Sequence, residues 1–302
     1  MRSSNSPFSD FIRIASWPSL LTGAFLYALG AGIVIFRGEL FDWRNFWLGM
    51  ALIALLQLSC AFLTTFYTRL YEPRRDPAAN SADGSSGLTM PRGTLMMVAV
   101  TTLTTGAMLT VILFAVGAIT PAVLLVLGLA FLLAFAYAVP PFRLVFSGYG
   151  ELVMAVLLTT LVPALGFLLQ VGEMSQLLGM LTFPITALYL AMVLALSLET
   201  YYADLKTGRQ NLMIRLGWQR GTVLHNVLIL VAYLLIGIGA LIGMAWALTW
   251  PRLLTLPIGL FQFWQIWQIG NGAPPRWRLL RITAIATFAI TVYLQAFTLW
   301  VG

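Results

Sequence analysis

Runs of apolar residues, each about 20 long and so able to cross a hydrocarbon core, alternate with short polar breaks along most of this 302-residue chain. The pattern predicts nine helical spans, at about 14–36, 46–66, 95–117, 121–139, 151–171, 177–198, 222–246, 253–269 and 279–301. The eighth is short and opens at Trp250-Pro251, which predicts a tilted or broken helix. Trp43, Trp47, Trp218, Trp250 and Trp277 fall near span ends, where an aromatic belt would lie. The first run begins near Ile14, exceeds the apolar core of a signal peptide and is followed by no small-residue cleavage site, so it reads as a retained helix. The expected fold class is all-α: a polytopic membrane protein, with residues 1–302 forming a single transmembrane domain.

Composition agrees. Sixty per cent of residues are hydrophobic and 9% charged, against about 25% charged in soluble domains, and the mean hydropathy is +0.90. Lys and Arg are unevenly placed. Arg2, Arg13, Arg69, Arg74, Arg75, Arg92, Arg143, Lys206, Arg209, Arg215, Arg220, Arg276, Arg278 and Arg281 fall on one side of the predicted spans; Arg37, Arg44 and Arg252 fall on the other. The positive-inside bias then puts the N-terminus and the even-numbered connections in the cytoplasm, with the chain in the inner (cytoplasmic) membrane. The net charge of +7 follows from topology and calls for no nucleic-acid partner. The lone Cys60 excludes an internal disulfide and reads as a small buried residue. The lone His225 reads as a satisfied polar group near a helix start.

Two connections are long and charged, at about 67–94 and 199–221, and both are expected to be cytoplasmic loops. The first, YTRLYEPRRDPAANSADGSSGLTMPRGT, is rich in Gly, Pro, Ser and Asp. The second begins with SLETYYADLKTGRQNLMIRLG. Of ten acidic residues, Glu72, Asp76, Asp83, Glu151, Glu199 and Asp204 lie on the cytoplasmic side or just inside it. Carboxylates mixed with Arg and Lys at one membrane face suit a phosphate ester bound through Mg²⁺, which takes one or two protein carboxylates plus phosphate oxygens, while Arg gives bidentate donors to phosphate. Glu199 directly follows an apolar run, and an ionisable group at membrane depth is a functional candidate. Glu199 and Asp204 would stand about 140° apart on one continuous helix, so they converge only if the helix ends between them.

SLETYYADLKTGRQNLMIRLG resembles the second motif of the UbiA superfamily of intramembrane aromatic prenyltransferases, D-x-x-x-D-x-x-x-G-x-x-T-L-x-x-R-L-G. Asp204, Gly208, Leu212, Arg215, Leu216 and Gly217 match; Thr200 stands at the first Asp and Asn211 at the Thr. The segment YAVPPFRLVFSGYGELVMAVLLTTLVPALGFLLQVGE is similar to the region around the family's fourth and fifth helices, and its PPFRL and GYGE elements resemble the branch that prenylates 1,4-dihydroxy-2-naphthoate in menaquinone biosynthesis. ASWPSLLTGAFLYALGAG is compatible with the first helix. Aligning QLSCAFLTTFYTRLYEPRRD with the first motif, N-D-x-x-D-x-x-x-D, puts Thr64, Thr65 and Thr68 where Asn and two Asp are expected, and Glu72 at the last Asp.

The resemblance implies a UbiA-like bundle of nine transmembrane helices. It also implies a Mg²⁺ cofactor held by Glu72 and Asp204, with Glu199 as a further catalytic carboxylate and Asp76 and Asp83 as substitutes. Arg74, Arg75, Arg143, Lys206 and Arg209 would hold the diphosphate of a polyprenyl donor, whose allylic cation an aromatic acceptor attacks. Four motif positions are degenerate, at Thr64, Thr65, Thr68 and Thr200, and a neutral hydroxyl does not replace a carboxylate around divalent ions. The alternative is therefore a catalytically silent relative that binds a quinone, carotenoid or other isoprenoid-like lipid, or serves as a subunit of a membrane complex. Transport is disfavoured, because the spans carry few internal charges and no paired broken helices.

Overall fold

The computed structural model describes residues 7–71 and 90–302, and every regular element within them is helical. A short α1 (Pro7–Ala15) precedes α2 (Trp17–Phe36), α3 (Trp43–Tyr71), α4 (Arg92–Ala115) and α5 (Pro121–Ala138). The next span is composite: α6 (Gly150–Val156), a π-helical segment Leu157–Leu161, and α7 (Val162–Val171). Then follow α8 (Gln176–Thr207), α9 (Leu212–Leu216), α10 (Trp218–Leu241), α11 (Trp246–Leu253), α12 (Leu256–Gly270) and α13 (Trp277–Val301). Eight helices among the described residues are long and apolar enough to cross a membrane, the α6–α7 composite counting as one. The chain is a multi-pass membrane protein. The expected eighth span exists as two pieces, α11 and α12, broken at Leu254 and Thr255 just after Pro251. Outward-facing Met97, Met108, Phe114, Leu125 and Leu132 on α4 and α5 are exposed, as lipid contact requires.

One expectation about the charged stretches changes. Residues 199–221 are mostly helix, not loop: α8 runs on to Thr207, and only 208–211 and the single residue Gly217 interrupt the helices. Nothing between Ser197 and Thr207 breaks a helix, since the first Gly is Gly208 and no Pro intervenes. At its 32 residues, α8 spans about 48 Å, more than the hydrocarbon core needs. Its last turns therefore project beyond the apolar slab. The residues 72–89, with Glu72, Arg74, Arg75, Asp76 and Asp83, lie outside the described residues.

Small residues set the central packing. α2 crosses α7, and a Cβ at Gly30 would run into the Pro163 backbone, one at Gly166 into the Tyr27 carbonyl. Backbone-to-backbone approach of this kind is how membrane helices gain dispersion energy without a hydrophobic driving force. Around the crossing lie Leu26, Leu29, Ile33, Val162, Leu165 and Phe167. A second cluster, Leu194, Leu198, Met213, Ile266 and Leu280, ties the end of α8 to α9, α12 and α13. The π segment is supported by hydroxyls: Thr159 Oγ1 donates to the Ala155 carbonyl at 2.6 Å and lies 2.8 Å from Thr186 Oγ1, and Thr160 meets the same Thr186 hydroxyl at 3.0 Å.

Candidate functional site

The end of α8 is shaped by Gly208, whose φ of 73° is left-handed and open to glycine at little cost. The reversal there directs Arg209 N–H back to the Asp204 carbonyl at 3.0 Å, and Arg209 and Asp204 then line one cavity of about 380 Å³. Asp204 is buried. Its Oδ2 accepts two hydrogen bonds, from Thr200 Oγ1 at 2.7 Å and from Asn211 Nδ2 at 2.9 Å. Asn211 also caps α9, its Oδ1 accepting from Ile214 N–H at 2.8 Å. The next residue, Leu212, donates its N–H to Glu151 Oε2 at 3.2 Å. Two consecutive residues thus hold two carboxylates, Asp204 and Glu151, at one cavity.

Arg215 secures the other side. Its Nη1 donates to the Ser147 carbonyl at 2.8 Å and its guanidinium lies 4.1 Å from the centre of the Tyr149 ring. That contact fixes the turn before α6 and with it Glu151. Tyr137, Met154 and Tyr189 complete the apolar depth of the cavity. Tyr137 and Met154 also line a second chamber of about 190 Å³ between α2, α3, α5 and the α6–α7 span, whose lining includes Ser19, Gln57, Cys60 and Thr64.

No family model matches the chain, and no curated protein does. Among solved structures, a UbiA homolog from Archaeoglobus fulgidus bound to GPP and Mg²⁺ aligns with a TM-score of 0.63 at 15% identity, over 95% of this chain and 99% of that one. The fold is that of the UbiA homologues. The same homolog bound to DMAPP and Mg²⁺ gives 0.59 at 15% identity over 95% and 99%. A digeranylgeranylglyceryl phosphate synthase gives 0.68 at 11% identity, over 97% of this chain and 99% of its own. At these identities, what is shared is the course of the helices.

Within this UbiA-like fold the motif replacements have a local logic. Thr200 and Asn211, where the resembled motif has Asp and Thr, are the two donors to Asp204. In α3, Thr64, Thr65 and Thr68 each turn their hydroxyl back to the carbonyl four residues earlier, at 2.8, 2.8 and 2.7 Å. Glu199 does not join Asp204, because α8 continues through both and keeps them on different faces. Glu199 instead meets Arg281 of α13 in a two-pronged ion pair, with Arg281 Nε at 3.1 Å from Oε2. Lys206 is exposed and does not line the cavity. Arg143 donates to the Tyr67 carbonyl at 3.3 Å and covers the Phe146 ring, tying the α5–α6 connection to α3. Of the expected site, Asp204, Thr200 and Arg209 come together. Glu151, Tyr137, Tyr189 and Asn211 join them from outside the expected set; Glu151 carries a visible signal as an acid at the head of an apolar run, and Asn211 one as the residue at the motif's Thr position.

Proposed function

We propose that the chain is a membrane prenyltransferase that transfers an isoprenyl group from a diphosphate to an aromatic acceptor of the quinol- or pigment-precursor kind. The observation that carries this reading is that Asp204, Glu151 and Arg209 line one cavity together with Tyr137, Met154 and Tyr189. Asp204 and Glu151 would hold one Mg²⁺, with phosphate oxygens as its further ligands, and among the described residues no group of three His, Cys, Asp or Glu could hold one without such help. When bound, Mg²⁺ supplies charge neutralisation for the departing diphosphate. Arg209 binds the diphosphate through bidentate hydrogen bonds, and the prenyl chain runs inward past Tyr137 and Tyr189. There the C1–O bond breaks, the diphosphate leaves with the electron pair, and the cation at C1 is met by ring faces, whose quadrupole favours positive charge. The acceptor carbon bonds to C1 and its proton passes to solvent. Glu72 would add a carboxylate for the metal, and Arg74, Arg75 and Arg143 would add to diphosphate binding. The N-terminus and both charged stretches would face the cytoplasm, with 1–302 acting as one domain in the inner membrane.

The test is geranylgeranyl diphosphate binding to the detergent-purified protein in Mg²⁺ and in EDTA. Mg²⁺ is expected to tighten binding about tenfold or more; equal affinity in both would remove the metal from the reading. Glu199→Gln is expected to leave that binding unchanged, because its partner is Arg281 rather than the cavity, and a Mg²⁺-dependent loss in this variant would return Glu199 to the site. A second reading, a silent binder of an isoprenoid-like lipid or a subunit of a membrane complex, is favoured by the Thr64, Thr65 and Thr68 hydroxyls being satisfied within α3. Its signature is an apolar ligand that co-purifies with no diphosphate binding.

A further inference from the structure

We infer that the inner chamber takes an uncharged, hydroxyl-bearing acceptor, with the Gln57 amide as its polar recognition group. The inference rests on the prenyltransferase reading and names the class of its second substrate. Gln57, on α3, lines the chamber, and its Nε2 and Oε1 are both buried without a hydrogen-bond partner. The amide lies against Gly23 of α2, where a Cβ would displace it. A buried amide with both halves unpaired is costly, and a ligand that pairs them recovers that cost as affinity. A hydroxyl can meet either half, donating to Oε1 or accepting from Nε2. A carboxylate can use only Nε2 and sets its charge against Oε1.

The rest of the lining points the same way. Ser16, Ser19, Cys60, Thr64 and Tyr137 are its other polar members, Thr64 already donates to the Cys60 carbonyl, and no charged side chain is among the lining residues. An acceptor carrying a carboxylate would be buried there without a counter-charge, whereas a phenol or quinol would not. Ser16 is exposed at the α1–α2 junction, which gives the chamber an opening that does not use the Asp204 mouth. Met154 and Tyr137 are common to both cavities, so an acceptor seated at Gln57 lies next to the cavity that takes the diphosphate.

The experiment compares 1-naphthol with 4-hydroxy-1-naphthoate, which differ by one carboxylate, by calorimetry on the full chain at neutral pH. Geranylgeranyl diphosphate binding is measured on the same preparation. Naphthol is expected to bind at least about tenfold more tightly than the hydroxynaphthoate. In Gln57→Leu that advantage falls to about twofold or less, with diphosphate affinity unchanged. In Gln57→Lys the preference inverts. The ratio of the two affinities does not depend on how much of a variant is folded, so it separates recognition from stability. Equal binding of the two probes to the wild type, or a ratio that neither variant moves, would overturn the inference. Intact naphthol preference without diphosphate binding would instead overturn the prenyltransferase reading and leave the selectivity of the chamber standing.

Discussion

Asp204→Ala is expected to weaken geranylgeranyl diphosphate binding in Mg²⁺ by at least about thirtyfold, roughly 2 kcal/mol, and to make the remainder indifferent to EDTA. Turnover, where an acceptor is found, should fall by about 10²–10³, the scale of losing one electrostatic contact to a developing anion. The size follows from what Asp204 does twice. Its Oδ2 is occupied by Thr200 and Asn211, which orient the carboxylate and leave Oδ1 for a ligand in the cavity. Removing the side chain also strands the Asn211 amide, which is itself buried, and so loosens the turn between α8 and α9 that carries Arg209. Asp204→Asn separates the two effects, because it keeps the shape and drops the charge. Binding should fall nearly as far as in the alanine variant while the Tm stays close to wild type. Wild-type affinity in Asp204→Asn would mean that no charge at this position is needed, and the silent-binder reading would then be preferred.

The second large effect is structural. Gly30→Ala and Gly166→Ala should each cost about 2–3 kcal/mol or more, because the new methyl meets backbone atoms of Pro163 or Tyr27, which cannot step aside by changing rotamer. The same substitution at Gly128, on the outer face of α5 with nothing within reach of its Cβ, should instead be neutral or stabilising by about 0.5–1 kcal/mol, since alanine is the better helix former. Thermal unfolding in detergent checks all three. A Tm for Gly30→Ala equal to that of Gly128→Ala would mean that α2 and α7 do not approach as closely as described.

Much of this was readable from apolar periodicity. Membrane spans announce themselves because the whole length of each must be apolar, and even the break near Pro251 was visible as a Trp-Pro pair in a run too short to cross. The misses are local and physical. The nine residues of α1 read as tail and as the start of the first span, since roughly two to three amphipathic turns carry too little pattern. The end of α8 reads as loop because Glu199, Asp204 and Lys206 are charged, yet charge does not break a helix; Gly208 does. Asp204 and Arg209 were legible because they fall in one motif. Glu151 was noted as an acid at the membrane face but not joined to Asp204, because the link runs through the Leu212 N–H, a backbone group 61 residues away in sequence. Gln57 carries no signal in the sequence: an unpaired amide is a fact of packing, and no spacing reveals it.

The π segment at Leu157–Leu161 settles which way the two ends of its span look. In an uninterrupted α-helix Met154 and Gly166 would point about 120° apart; taking up one extra residue brings them to within about 20°. The same side of the span therefore offers a bulky flexible side chain to the cavities at one end and a bare backbone to α2 at the other. The phase slip lets one rod serve a ligand and a packing seam that a regular helix would have set on different sides. Deleting a single residue between Leu157 and Leu161 would convert the span to a regular helix with both ends still facing the same side, whereas adding one would turn one end about 100° out of register with its neighbours.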